Sequence, residues 1–408
     1  MERVFVGRQP IFDQQLGLQA YELLFRSSQQ NAAVIGSHDF DQDMATTNVM
    51  LNTFIDIGLE QLVETYPAYI NLSRSFLIGS LPLPFAPEQV VLEILEDIKS
   101  EPEVITAIRD LKDRGYTIAL DDFINVTDMH ELVKMVDIIK VDVQPLSTEE
   151  LSDLVSSLRQ INPNIRLLAE KVEDNDVFEH CKSLGFELFQ GYFFCRPQIV
   201  EGARLSGNRL EMLNLMAELQ DTDTDFARLE YLIARDVALS YRLLRYINSA
   251  AFSMRRSIES IRQVLTLLGM NKIRNIVCLI LLSEIDDKPK ELMTLSMIRG
   301  KMCELLAQRE GLDGADQYFT VGLFSLLDAI MDSPLPELIN NLPLSDMVKD
   351  ALLEHKGEAG QVLLLVEQFE SGRWDRLMDQ KVTPETITGA WIDAVQWAHE
   401  STESLKAQ

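Results

Sequence analysis

The stretch Ile118-Ala119-Leu120-Asp121-Asp122 shows the pattern that decides the fold of the first half of the chain: a short apolar run that ends in acidic residues. Strands buried on both faces read as continuous apolar runs of this kind. Similar runs lead into Glu22, Asn71, Glu93, Lys140 with Asp142, Glu170 and Gln190. A barrel of parallel strands carries its chemistry where such strands end. The pattern therefore predicts one acidic, metal-binding mouth in which these side chains converge.

Helical patterns separate these runs along the first 200 residues. Apolar residues at helical spacing predict helices over 42–57, 102–112, 151–161 and 177–184, and the runs 4–6 and 18–24 predict an antiparallel start. Alternating strands and helices are typical of α/β folds with a mostly parallel sheet. We therefore predict an α/β domain over residues 1–202.

The second half lacks strand patterns and is predicted to be all-α, as a domain over residues 203–408. Leu210, Leu213, Met216 and Leu219 fall on one helix face, and Leu229, Leu232, Ile233 and Val237 fall on the next. A third helix is predicted around Tyr241, Leu244 and Ile247. Further helices are predicted over 257–268, 296–309, 318–331, 345–354, 359–370 and 384–403.

Composition excludes some classes of function. The formal net charge of −27 argues against non-specific nucleic-acid binding, which depends on Lys and Arg neutralising phosphates.

None of the four cysteines forms a CxxC pair, so buried free thiols in a reducing cytoplasm are expected. No apolar signal region follows Met1, and the most apolar stretch, 273–282, is too short to span a bilayer. We expect a cytoplasmic protein without a membrane span.

The oxygen-rich strand ends suit hard divalent cations such as Mg²⁺ and Mn²⁺. Two such cations close together can clamp the attacking and leaving oxygens of a phosphoryl displacement. An acidic chain also scatters carboxylates for solubility, so their positions alone leave a purely structural interpretation open.

Short motifs at these strand ends resemble, in the same order, those of the EAL family of cyclic-di-GMP phosphodiesterases. They are Tyr21-Glu22-Leu23-Leu24-Phe25-Arg26, Asn71-Leu72-Ser73, Glu93-Ile94-Leu95-Glu96, Asp121-Asp122-Phe123, Lys140-Val141-Asp142, Glu170-Lys171-Val172-Glu173 and Gln190-Gly191-Tyr192. In the first motif, Leu23 stands where the family has Ala. The resemblance covers residues 1–200 and implies an EAL-type (β/α)₈ TIM-like barrel.

The resemblance also implies a role for each matching side chain at a two-metal Mg²⁺ or Mn²⁺ site. The implied metal ligands are Glu22, Asn71, Glu93 and Asp121 for one cation, with Asp121, Asp122 and Glu173 helping to hold the second. Glu170 and Lys140 would position or deprotonate the attacking water. Arg26 and Gln190 would contact cyclic-di-GMP, and Glu96 would brace the loop after Asp122.

That loop departs from the family. Residues 124–130, Ile-Asn-Val-Thr-Asp-Met-His, replace a glycine-containing segment, and a glycine position often needs a backbone conformation that other residues adopt only at a cost. In the family this loop couples metal binding to dimerisation, so the resemblance allows a homodimer. We predict that metal binding is retained and turnover is reduced. His130 is interpreted as an exposed residue at a helix start, not as a ligand.

The second half resembles another family, the HDOD domain, an HD-like helical fold that lacks the HD metal site. The matching segments are 233–240 and 243–252, followed by Ile258, Ser260-Ile261, Leu268-Gly269 and Ile273-Arg274. Val237 stands where the family usually has Pro. After residue 208 the only histidines are His355 and His399, and neither is followed by Asp. We therefore expect an interaction module for an unidentified protein partner, in which Arg245, Asn248 and Ser249 pack and cap helices.

Two functions follow from these resemblances. The first is a phosphodiesterase that hydrolyses cyclic-di-GMP to pGpG under regulation by the HDOD domain, in bacterial control of motility or biofilm formation. The alternative is a catalytically inactive EAL-HDOD protein that acts as a cyclic-di-GMP receptor or a protein-interaction module. The retained ligand set favours the enzyme, whereas Leu23 and the lost loop glycines favour the alternative.

Overall fold

The computed structural model describes residues 4–27, 54, 57–78, 83–95, 98–121, 130–196, 207–221, 223–249, 258–285, 287–372, 377 and 382–406. The chain divides into two compact units, Met1–Phe193 and Phe194–Gln408. The domain boundary expected after residue 202 falls in 197–206, outside the described residues, and stays a prediction.

The first unit is a closed barrel of strands in sequence order. The strands are β1 (Val4–Asp13), β2 (Leu18–Ser27), β3 (Ala68–Leu72), β4 (Val90–Ile94), β5 (Thr117–Leu120), β6 (Ile138–Asp142), β7 (Arg166–Glu170) and β8 (Leu188–Gln190). β1 runs antiparallel to both β2 and β8, and all other neighbours are parallel. The predicted barrel with an antiparallel start is confirmed.

Helices surround this barrel between the strands. They are α1 (Leu59–Val63), α2 (Arg74–Ile78), α3 (Pro102–Asp113), α4 (His130–Met135), α5 (Thr148–Ile161) and α6 (Asn175–Ser183). α5 begins three residues before the predicted start because Ser147 and Glu150 form a capping box in polar sequence, where apolar spacing gives no signal. The helix predicted over 42–57 lies mostly outside the described residues.

One apolar layer seals the barrel interior, and every strand contributes one residue to it. This barrel floor consists of Ile11, Ala20, Tyr69, Val91, Ala119, Ile138, Leu168 and Leu188. All are nearly or fully buried, as expected for the inward-facing positions of a small barrel. The floor separates the two ends of the barrel interior.

The second unit is helical throughout its described part. Its helices are α7 (Gly207–Gln220), α8 (Phe226–Ala234), α9 (Val237–Ile247), α10 (Ile261–Leu268), α11 (Met270–Leu282), α12 (Lys290–Arg309), α13 (Ala315–Phe324), α14 (Leu327–Met331), α15 (Leu335–Asn340), α16 (Asp346–Glu354), α17 (Gly357–Glu370) and α18 (Pro384–Lys406). Among the helices described, none has both the length and the apolar character needed to cross a bilayer. All four cysteines are free, with Cys195 half-buried and the others buried, close to the prediction.

Two helix predictions in this unit were wrong in detail. Val237 was predicted to share one helix face with Leu229, Leu232 and Ile233. It instead begins α9 and is 80% exposed. The new helix starts there because Asp236 caps it by accepting a hydrogen bond from the Leu239 backbone N–H. The single helix predicted over 318–331 is two helices, since the chain leaves helical geometry at Leu326.

The predicted capping roles at the end of α9 are confirmed. Asn248 Nδ2 donates to the carbonyls of Leu244 and Ile258, each at 2.8 Å, and its Oδ1 accepts from the Ile258 backbone N–H at 2.8 Å. Ser249 Oγ donates to the Tyr246 carbonyl at 2.6 Å. Arg245 binds the last carbonyls of α18. These groups therefore satisfy helix-end carbonyls.

Candidate metal centre

A layer of polar side chains lies next to the barrel floor, two residues away from the floor residue on every strand. Because side chains alternate between the two faces of a strand, residues two apart point to the same side. On every strand, the polar residue lies two positions from the floor residue, after it on β2 to β8 and before it on the antiparallel β1. These residues are Gln9, Glu22, Asn71, Glu93, Asp121, Lys140, Glu170 and Gln190. Of the strand-end residues predicted to converge, seven lie in this layer, whereas Asp142 pairs with Lys171 and Asp122 lies outside the described residues.

Lys140 is the centre of this layer. Its ammonium Nζ lies 2.6 Å from Glu93 Oε1, 2.7 Å from Asp121 Oδ1, 3.0 Å from Glu170 Oε1 and 3.3 Å from Glu22 Oε2. The lysine side chain is 0% exposed. Four carboxylates thus face one ammonium, so a fully ionised cluster carries an excess of three negative charges. Such an excess attracts further cations.

Burial and mutual repulsion shift the titration of these groups. Burial, together with the charge of Glu22, raises the pKa of Glu93 well above its usual value. Burial is also the main cause that raises the pKa of Glu170 to about 8, partly opposed by Lys140. Burial alone lowers the pKa of Lys140, but the surrounding carboxylates outweigh it and hold that pKa well above the ordinary value. The lysine is therefore charged, and Glu93 and Glu170 keep their protons to a higher pH than ordinary glutamates.

The donor set fits a hard divalent cation. Ligand oxygens of Glu22, Glu93 and Asp121 lie within 4.8 Å of one another. Within the described part of the chain, Asn71 Oδ1 and Glu93 Oε2 are buried without a hydrogen-bond donor, whereas Glu93 Oε1 and Asp121 Oδ1 meet the Lys140 ammonium at 2.6 and 2.7 Å. Buried oxygens without donors are unfavourable unless a cation satisfies them.

Gln190 and Gln9 position one of these carboxylates. Gln190 Nε2 donates to Glu22 Oε2 at 2.6 Å and to Gln9 Oε1 at 2.9 Å. Sequence reasoning missed Gln9, because β1 runs in the opposite direction and its inward polar residue precedes the apolar run. The direct pairing of Gln9 with Glu22 in the register of β1 and β2 is the structural signal that reveals it.

Several predicted site residues remain predictions. Glu173 lies exposed on the loop after β7, where its Oε1 accepts from Gln144 Nε2 at 2.7 Å. The side chain of Arg26, and Glu96, Asp122 and loop residues 124–129, lie outside the described residues. His130 is exposed at the first residue of α4, as expected for a helix start.

Gly191 is required where β8 ends beside the site. Its φ is +147°, and a Cβ at this position would lie 2.1 Å from the Val172 carbonyl oxygen and 2.5 Å from the Val172 nitrogen. The same backbone is fixed by the Val172 N–H, which donates to the Gln190 carbonyl at 3.0 Å. No side chain fits this position without a backbone shift.

We expect Gly191→Ala to lower the free energy of unfolding of the barrel by about 3 kcal/mol, from overpacking and backbone strain together. Chemical denaturation followed by circular dichroism measures this change. Gly115→Ala is the matched control, because φ there is +93° but the nearest atom to a Cβ is 3.7 Å away. An equal loss in both variants would mean that the contact with Val172 is unimportant.

The helical unit shows no comparable cluster. In the portion of the chain that the structure describes, Glu22, Glu93 and Asp121 form the only group of His, Cys, Asp or Glu side chains that could hold a metal ion. His355 Nε2 lies 3.0 Å from Glu367 Oε2, in a structural pair. That the helical unit lacks the HD metal site stays a prediction.

Comparison with known proteins gives the same two domains. Residues 3–197 match the model of the EAL domain, and residues 211–356 match the model of the HDOD domain. Among solved structures, the Klebsiella pneumoniae BlrP1 manganese/cy-diGMP complex is similar, with 21% identity and a TM-score of 0.38. That match covers 47% of this chain and 55% of the BlrP1 chain, so it spans about half of that protein.

Two relatives align along nearly the whole chain. The protein is 36% identical to the uncharacterized protein YuxH of Bacillus subtilis, over 97% of this chain and 98% of the relative. It is 34% identical to the cyclic di-GMP phosphodiesterase CdgJ of Vibrio cholerae, over 98% of this chain and 93% of the relative. With both domain models matched in the predicted order, the chain belongs to the family of EAL–HDOD proteins.

Proposed function

We propose that this chain is a divalent-metal-dependent phosphodiesterase that hydrolyses cyclic di-GMP to linear pGpG. The observation that carries the proposal is the group of ligand oxygens from Glu22, Glu93 and Asp121, within 4.8 Å of one another at the barrel mouth. The EAL match and the name of the 34% identical relative CdgJ support the substrate.

The metal that we propose is Mg²⁺ or Mn²⁺. Glu22, Asn71, Glu93 and Asp121 would hold one cation, and Asp121 with Asp122 and Glu173 would help to hold a second. A cation bound there would supply Lewis-acid stabilisation of the phosphoryl oxygens and a more acidic water. Lys140 would keep the carboxylates together without neutralising them, since its single charge faces four.

Glu170 is the proposed general base. Its pKa of about 8 lies close to the pH of the cell, the range in which proton acceptance is most effective. The water oxygen would form a bond to phosphorus as the bond from phosphorus to the 3′ oxygen breaks, the water proton would pass to the Glu170 carboxylate, and the leaving 3′ oxygen would take a proton from solvent to become the 3′ hydroxyl. Lys140 Nζ, 3.0 Å from Glu170 Oε1, orients that carboxylate.

The remaining predicted roles concern substrate. Arg26 is proposed to contact a phosphate of cyclic di-GMP. Gln190 is proposed to contact the nucleotide, in addition to holding Glu22 through the hydrogen bond at 2.6 Å. The HDOD domain is proposed to bind a protein partner that regulates the barrel. A homodimer through the loop over 124–130 is part of the same proposal.

The second candidate is a cyclic di-GMP receptor without turnover, and the altered loop over 124–130 favours it. The two functions share the binding site and differ only in the chemical step. Incubating the purified full-length chain with Mn²⁺ or Mg²⁺ and cyclic di-GMP, and measuring pGpG by chromatography, separates them. Product supports the enzyme, whereas bound and unchanged nucleotide supports the receptor.

We expect Glu170→Gln to lower the hydrolytic kcat by about a hundredfold, the usual contribution of a general base. The rise in melting temperature on adding Mn²⁺ should persist, because Glu170 is not among the oxygens grouped for the metal. Glu179→Gln, an exposed residue of α6 with the same charge change, is the control. Unchanged kcat in the Glu170 variant would assign the base elsewhere.

A further inference from the structure

The helical unit contains a second candidate binding site, a cavity of about 840 Å³. It is bordered by α9, the end of α11, the start of α12, α14 and the end of α18. Cavities of this size hold small molecules in other proteins. We propose that it binds a small amphipathic anion, with one carboxylate or phosphate on an apolar body.

Cationic side chains dominate the charged lining, although the whole chain carries a net charge of −27. Among the described lining residues, Arg242, Arg245, Lys288 and Lys290 stand against one carboxylate, that of Glu284. Arg242 pairs with Glu284, and Lys288 Nζ lies 2.5 Å from Asp332 Oδ1. Among the described residues, Arg245 and Lys290 form no ion pair. The cavity therefore has two cations available for an anionic head group.

Arg245 has an unused donor. Its terminal nitrogen donates to the carbonyls of Leu405 and Ser404, at 3.0 and 3.3 Å, and its guanidinium lies 5.7 Å from the centre of the Tyr241 ring. The Arg245 Nε is buried and has no acceptor in the part of the chain that the structure describes. Buried donors are normally paired with an acceptor. An anionic oxygen that enters the cavity would accept from Nε and so remove the free-energy cost of a buried, unpaired donor.

Most of the uncharged lining is apolar and adaptable. It includes Leu282, Ile285, Leu292, Met293, Met297 and Ile330, and the hydroxyl residues Ser283, Thr294 and Thr402 lie among them. Methionine fills irregular spaces and adjusts to ligands of different shapes. A charged head at Arg245 and Lys290 with an apolar body along these side chains matches both parts of the cavity, which favours an amphipathic anion over an inorganic one.

Calorimetric titration of the full-length chain with decanoate, decyl phosphate and decanol tests the proposal. We expect both anions to bind, and decanol to bind at least about tenfold more weakly, because it lacks the charge-assisted hydrogen bonds. The preference between the two anions identifies the head group. Equal binding of decanol and decanoate, or binding of neither anion, would overturn the proposal.

Variants locate the site. Lys290→Gln changes an exposed lining cation and is expected to weaken decanoate about threefold to tenfold, with Arg245→Gln weakening it further. Thr294→Trp places a bulky indole in the cavity without changing charge and should strongly weaken binding. Arg235→Gln, an exposed arginine outside the lining, is the matched control and should bind as the wild type does. Unchanged affinity in both Lys290→Gln and Thr294→Trp would place any binding elsewhere.

Discussion

Lys140→Met is expected to lower the free energy of unfolding of the metal-free barrel by about 4 kcal/mol, because removing one partner of a buried ion pair leaves uncompensated charge. Here one ammonium is removed from between four carboxylates, at distances of 2.6 to 3.3 Å. The variant should regain more stability than the wild type when Mn²⁺ is added, since the cation restores the missing positive charge.

Denaturant unfolding in EDTA and at a series of Mn²⁺ concentrations measures both effects. Lys134→Met is the matched control, because Lys134 is exposed on α4 and pairs with Glu131 on the surface. Hydrolysis should be lost in Lys140→Met and retained in Lys134→Met. A metal-free Lys140 variant as stable as the wild type would show that the carboxylates do not depend on the lysine.

Glu93→Gln is expected to abolish the stabilisation of the folded protein by added metal. It should also lower the rate of hydrolysis by about a thousandfold, because the transition state loses several kcal/mol of Lewis-acid stabilisation. Without metal, the variant should be as stable as the wild type or more stable. Burial already raises the pKa of Glu93 well above its usual value, so the neutral amide resembles the form that the empty site favours.

The measurement is the melting temperature with and without Mn²⁺, together with the rate of pGpG formation. A site that binds only the folded state contributes about 2.7 kcal/mol at a hundredfold excess over Kd, so its loss is easily detected. Glu187→Gln, which changes a half-exposed carboxylate paired with Arg166, is the control. Equal metal-induced shifts in wild type and Glu93→Gln would exclude Glu93 as a ligand.

The polar residues at the strand ends could be predicted from the sequence because inward-facing side chains recur every second residue along a strand. An apolar floor residue followed two positions later by a polar residue leaves a clear signal on any parallel strand, as in Val91 and Glu93. Gln9 could not be found in this way, because strand direction is a tertiary property and reverses the order on β1.

The helix boundaries of the helical unit were predicted less well, because some of them are set by side chains that form hydrogen bonds with the backbone. Ser325 Oγ donates to the Gly322 carbonyl at 2.7 Å and accepts from Arg299 at 3.1 Å, at the point where the predicted helix over 318–331 divides. Local side-chain hydrogen bonds of this kind compete with helix continuation and leave the apolar spacing intact. Burial of Val237 was mispredicted for a related reason, since a capping residue, Asp236, restarts the helix.

The antiparallel strand β1 has a consequence for synthesis of the protein on the ribosome. β1 is made first, yet it must pair with β8, and the hydrogen bond from Gln190 to Gln9 joins residues 181 positions apart. Contacts of such long range form late, because the intervening loop must first be closed. A nascent chain therefore cannot complete the polar layer until β8 has emerged. Until then Glu22 and Gln9 lack their hydrogen bonds from Gln190, so this part of the polar layer forms in the same step that closes the barrel.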